Sequence, residues 1–191
     1  MQPSKYQVKV FANDSVNVEE YIPVFHRWIR ENLLGELLID VVDYSHVTAG
    51  PDVVLIGHAA DYVLDRAAGR LGLLYARKRD GNAGASGLKS ALRSALTACA
   101  HLQREPAVRH ALAFRPDELL VRVADRLAAP NTDATFERCL PELREALQPL
   151  YGTTAFELRR VGSPRELFSV EVKAEGAPPI GTLLERAQAA S

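Results

Sequence analysis

The sequence predicts an α+β fold made of two small mixed or antiparallel sheets with helices packed on them. Three observations lead there. Lys5–Ala12 alternates apolar and polar residues, and Leu37–Asp43 and Asp52–Gly57 are rich in β-branched residues, so all three read as strands. Apolar residues recur at helical spacing in two places: Leu88, Leu92, Leu96, Cys99 and Leu102, then Phe136, Leu140, Leu143, Leu147 and Leu150. The strands also come in close pairs joined by short turns, too short for the dozen or more residues of a parallel crossover.

Taken in order, Lys5–Ala12 is the first strand. Asn17 with Glu20 offers a capping box for a helix reaching about Asn32, and Pro23 inside it requires either a kink or a later start. A right-handed strand–helix–strand crossover would set the first strand parallel to Leu37–Asp43. Leu37–Asp43 and Asp52–Gly57 form an antiparallel pair if they are neighbours. Asp61–Arg66 and Leu71–Lys78 form a hairpin about Ala67-Ala68-Gly69-Arg70.

Asp80–Gly87 is rich in small and Gly residues and marks the break between an N-terminal lobe, residues 1–80, and a C-terminal lobe, residues 88–175. The two either stand apart or share one core. In the second lobe, Ala111–Phe114 and Glu118–Arg126 flank Arg115-Pro116-Asp117, while Thr154–Val161 and Glu166–Ala174 flank Gly162-Ser163-Pro164. Each pair reads as a hairpin. With Leu71–Lys78 in front, the second lobe has a ferredoxin-like β-α-β-β-α-β order. Thr132 or Asp133 can cap its second long helix, Gly152 can end it, and Pro141 points to a kink. Residues 176–191 hold a Pro-rich linker and a short helix over Ile180–Ala190, which docks at home or on a partner.

Composition bounds the function classes. In 191 residues, 47% are hydrophobic and 25% charged, the usage of a chain that folds. Residues 1–80 carry 9 Lys+Arg against 11 Asp+Glu and the rest 14 against 13, so no basic field marks the chain for nucleic acid. The first residues lead straight into a strand, and no run of 18 apolar residues occurs, which argues for a cytoplasmic protein with no membrane partner. Cys99 and Cys139 lie on predicted helices without metal-like spacing and read as reduced core residues. No phosphate loop, dinucleotide fingerprint, zinc motif or nucleophile elbow is present, so no cofactor or metal is expected.

Reactive side chains gather in the first lobe: Asp14, His26, Asp43, His46, His58, Asp61 and Asp65. His46 and His58 lie at opposite ends of an antiparallel pair, ~20 Å apart, so one metal cannot bridge them. At the other end, pairing Arg66 with Leu71 puts Asp61 opposite Ala76 and within reach of Arg77. His58, Asp61 and Arg77 are therefore the candidate catalytic group, with the carboxylate orienting the imidazole as base and Arg77 binding an anionic or carbonyl substrate. The competing reading is a plain cross-strand ion pair. Asp14, Ser15, Asn17 and His46 read as turn and cap groups, and His26, His101 and His110 as surface or packing residues.

The first helix carries two apolar stripes. Val18, Ile22, Phe25, Ile29 and Leu33 face the core, while Tyr21, Val24 and Trp28 lie about 100° away. Either another element of the chain covers the second stripe, or Tyr21, Val24 and Trp28 form an interface for self-association or a protein partner. Pro23–Ile29, with Val54–His58 and Gly72–Tyr75, resembles a family of functionally uncharacterised bacterial proteins over mainly the first 80 residues. That resemblance implies no activity and no residue role. The sequence thus favours a self-associating protein-interaction or small-ligand-binding module over a small acid/base enzyme.

Overall fold

In the computed structural model, which describes residues 3–13, 16–47, 51–78, 84–108 and 112–190, the strands form one eight-stranded sheet. The strands are β1 (Tyr6–Ala12), β2 (Leu38–Asp43), β3 (Val53–Gly57), β4 (Ala60–Asp65), β5 (Gly72–Arg77), β6 (Phe114–Val123), β7 (Glu157–Val161) and β8 (Phe168–Lys173). Their spatial order is β2-β3-β4-β5-β1-β6-β8-β7, antiparallel throughout. The helices are α1 (Ile22–Glu31), α2 (Gly84–Gln103), α3 (Asp133–Tyr151) and α4 (Ile180–Ala189).

Three expectations change. The two small sheets are one, because β1 pairs with β5 on one side and β6 on the other and so joins the halves of the chain. β1 and β2 run in the same direction, as expected, but not side by side: β2 stands four places away at the sheet edge. The residues flanking Arg115-Pro116-Asp117 do not form a hairpin but run through as the single strand β6, with a register shift against β1 between Val10 and Ala12. Such a bulge accommodates a proline that cannot donate to the ladder. The order after β5 is therefore α2-β6-α3-β7-β8, and the ferredoxin-like order is not formed.

Local signals explain the helices. Asn17 accepts from the Glu19 N–H and caps a 3-10 turn over Val18–Tyr21, and α1 begins after it with Pro23 in its first turn, where the missing donor has no helical partner to lose. Gly84–Gly87 belongs to α2 rather than to a linker, while Asp80–Ala83 lies outside the described residues. Thr132 caps α3, and Gly152 at positive φ ends it. Arg186 of α4 donates to Leu150 O at the C-terminus of α3 (2.9 Å), so the last helix docks at home with Ile180, Leu183 and Ala187 buried.

Alternation divides the sheet into two faces. Val8, Val10, Leu55, Tyr62, Leu64, Leu73, Tyr75, Val121 and Val170 share one continuous core with buried residues of all four helices. Lys9, Phe11, Val63 and Leu120 alternate onto the opposite face, outside that cluster. Cys99 and Cys139 are free thiols, both buried. Among the described residues, no helix is long and apolar enough to cross a membrane.

Candidate functional site

The turn between β3 and β4 organises one end of the sheet. A Cβ on Gly57 would stand 2.5 Å from Ala60 O and 3.4 Å from Glu36 Oε2, so the turn needs glycine to close and to admit the α1–β2 connection beside it. His58 N–H donates to Leu37 O (2.7 Å), and Lys78 N–H to Ala59 O (3.0 Å), which ties this turn to both neighbouring segments.

The predicted catalytic group does not assemble there. Asp61 does stand opposite Ala76, as the hairpin register requires, but Arg77 stands opposite Ala60 and so projects from the other face of the sheet. The Asp61 carboxylate pairs instead with Lys78 at 2.7 Å. His58 is exposed at the turn between them. An imidazole, a carboxylate and a guanidinium thus reach the same sheet end without sharing a face of it. Among the described residues, no three His, Cys, Asp or Glu side chains could hold a metal, and His46 is exposed at the far end of the β2–β3 pair. Asp14 and His110 lie outside the described residues.

The expected interface on α1 is also corrected. Tyr21, Val24 and Trp28 are 0%, 2% and 0% exposed, because the chain covers both stripes of the helix itself. The Tyr21 hydroxyl accepts from Leu112 N–H (2.9 Å) in the segment before β6. Trp28 packs edge-on to Phe25 and to His101 near the end of α2.

What forms on the Arg77 side is a cavity of about 290 Å³ between β4, β5 and α2, roofed by the α1–β2 connection. Its chemistry comes from Glu36, Tyr62, Tyr75, Arg77, Arg93 and Ser94. Tyr75 and Arg77 alternate onto the same face of β5, and Tyr62 lies directly opposite Tyr75 on β4, with ring centroids 5.4 Å apart. On α2, Arg93 and Thr97 stand one turn apart beside the buried Leu92 and Leu96, and Thr97 Oγ1 donates to Arg93 O (2.8 Å). The Tyr62 hydroxyl donates to Glu36 Oε1 in a short hydrogen bond. Arg77 and Ser94 line the cavity with Tyr75.

Burial pushes both phenols above their ordinary value, and the neighbouring Glu36 carboxylate adds to the rise at each. At Tyr75 the Arg77 guanidinium offsets part of it. Both hydroxyls therefore stay protonated at neutral pH and serve as fixed hydrogen-bonding groups, not as bases. Two guanidiniums and one carboxylate among these residues leave the lining net positive.

Arg77 was singled out from the sequence; Glu36, Tyr62, Tyr75, Arg93 and Ser94 were not. Period 2 along β4 and β5 does put Tyr62, Tyr75 and Arg77 on one face once the hairpin register is known. Arg93 borders the apolar stripe of α2, a position that carries no chemical signal by itself. Comparison of the chain with protein-family models and with curated proteins found no match.

Proposed function

We propose that this protein binds a small anionic molecule, a carboxylate or phosphate, in the cavity between the β4–β5 hairpin and α2. The observation that carries the reading is the convergence of Arg77 from β5 and Arg93 from α2 on two buried tyrosines and Ser94, around a recess of about 290 Å³. Guanidiniums bind carboxylate and phosphate oxygens through paired, directional donors. A partly dehydrated recess makes such bonds stronger than they are at an open surface. Binding is favoured over acid/base catalysis because His58, Asp61 and Arg77 do not share a face and the two phenols are pushed away from neutrality. Cytoplasmic residence belongs to the same proposal, supported by two buried thiols left unpaired.

The test is thermal unfolding with phosphate, acetate or succinate against chloride at equal ionic strength. A ligand at 100 times its Kd stabilises by about 2.7 kcal/mol. Arg93→Ala should remove most of that response, since a charge-assisted hydrogen bond contributes about 1.5–3 kcal/mol. A stabilisation that is the same in wild type, Arg77→Ala and Arg93→Ala would place the anion elsewhere and end the proposal.

A second reading, association with another copy of the chain, is favoured by large apolar residues exposed along the β2 edge: Leu37 at 65%, Ile39 at 54%, with Tyr44 and Val47 beyond. Sedimentation equilibrium tests it. A dimer that Ile39→Lys converts to monomer supports this reading, and a monomeric wild type removes it.

A further inference from the structure

The two phenols of the cavity have groups of opposite charge as neighbours. Tyr62 gives its proton to the Glu36 carboxylate, whereas Tyr75 shares its face of β5 with Arg77, whose side chain lines the same cavity. Because the two tyrosines face each other across the β4–β5 pair, these neighbours set an acidic pole and a basic pole side by side. Ser94 of α2 lines the cavity together with both phenols. Arg93, its neighbour on α2, adds a second guanidinium to the lining.

A simple anion suits only half of this arrangement. Seated against Arg77 and Arg93, it brings its charge close to Glu36, and like charges in a recess repel more strongly than in water. A simple cation meets the converse conflict with two guanidiniums. A molecule carrying both charges satisfies both poles. Glu36 retains the capacity for it, since a carboxylate has about four acceptor sites and Tyr62 uses one. A volume of about 290 Å³ lies near the lower end of ligand pockets, as a small metabolite requires.

We infer that the ligand is dipolar, an amino acid or a compact amino-acid derivative, with its carboxylate on Arg77 and Arg93 and its ammonium on Glu36. The inference rests on the anion-binding reading above and narrows it. The Glu36 connection is then a specificity element: it opposes a carboxylate bound alone and distinguishes an amino acid from the same acid without its amine.

Calorimetric titration with matched probes separates the two levels. The probes are leucine against 4-methylpentanoate and 4-aminobutyrate against butyrate, with butylamine as the cationic control. In the wild type, at least one amino acid should bind tenfold or more tightly than its deaminated partner, and butylamine should not bind. Glu36→Gln should abolish that preference, weakening the amino acid and tightening the plain acid that no longer meets a like charge, and Arg93→Ala should weaken both by tenfold or more. Trp28 emission verifies that each variant is folded, and Tyr62→Phe, which removes the bond orienting Glu36, should reduce the preference in the same direction. If plain acids bind as tightly as amino acids in an Arg93-dependent way, or if the preference survives Glu36→Gln, the dipolar ligand is refuted and the anion site stands. If none of the probes binds, the dipolar ligand is refuted, and the anion site falls with it if phosphate also fails to stabilise the protein.

Discussion

Lys9 illustrates how a single side chain is committed by its neighbours. It lies on the sheet face opposite the helices, 1% exposed, and its Nζ meets Asp65 Oδ2 at 2.9 Å. To get there it crosses β5 at Gly72, where a Cβ would stand 2.5 Å from Val10 O and 3.0 Å from Lys9 Cε. Burial lowers the pKa of the ammonium, with Asp65 opposing that shift. Removing Asp65 alone would strand a buried charge, so Asp65→Ala should destabilise by about 3–5 kcal/mol in urea denaturation, whereas Lys9→Met with Asp65→Leu should recover most of the loss. Glu171 shows the opposite balance on the same face. Burial tends to raise its carboxyl, but Arg159 (2.7 Å), Lys173 and Arg70 outweigh it and hold the group below its ordinary 4.5. With the folded value depressed, the stabilisation is whole above the ordinary carboxylate range and is lost as pH falls through the folded value. Glu171→Gln should therefore flatten the fall in stability between about pH 5 and pH 2, read by denaturant titrations across that range.

The elements differ in how their edges are finished. β7, at one margin of the sheet, carries Glu157, Arg159 and Arg160, the charged dressing that discourages strand pairing. β2, at the other margin, is apolar and exposed at Ile39, as is Leu37 just before it, but its register shifts between Leu38 and Asp40, and the Asp40 carboxylate accepts from Val41 N–H (2.8 Å). A bulge and an occupied backbone donor make this edge a poor template for a further strand. Asp40→Val should remove that protection and produce concentration-dependent higher oligomers in sedimentation velocity, while a shift confined to stability would show that Asp40 guards nothing. The same elements supply the cavity. β5 ends its inward-facing series Leu73, Tyr75, Arg77 where the core meets solvent, so its last side chain can be a cation. α2 contributes Arg93 from the margin of its buried stripe for the same reason.

At the scale of the whole molecule, the β1–β6 pairing makes one sheet and one core of both halves of the chain. Such a core should unfold as a unit. Trp28, the single tryptophan, sits wholly inside it, which makes its emission a clean probe. The emission should be blue-shifted in the native state and should change at the same denaturant concentration as far-UV circular dichroism. Two separated transitions would show that the halves unfold independently. Substituting Trp28 by Ala should cost about 3–5 kcal/mol, the range for emptying a large aromatic site in a core, rather than weakening a partner contact.

The strands β1 to β5, both long helices and the β4–β5 register were legible because each depends on neighbours close in sequence: a period, a turn residue, a hairpin offset; the Asn17 cap was legible too, but it closes the 3-10 turn before α1 and not α1 itself. The register even placed Asp61 opposite Ala76 correctly. Alternation, which sends Arg77 to the other face, was available from the same pattern and decides that Asp61 and Arg77 cannot cooperate. Long-range pairing was not legible, since nothing in Tyr6–Ala12 distinguishes β6 from β2 as a partner when both present apolar residues on alternate positions. That pairing merged two expected sheets into one and covered Tyr21, Val24 and Trp28. Docking α2 against the β4–β5 hairpin then brought Arg93 and Ser94 to Tyr62, Tyr75 and Arg77. The sequence by itself determined which segments form strands and helices and where the local turns fall, because those choices are settled within a few residues. Tertiary structure alone decided which polar groups share a cavity, because that depends on burying apolar faces supplied from distant parts of the chain.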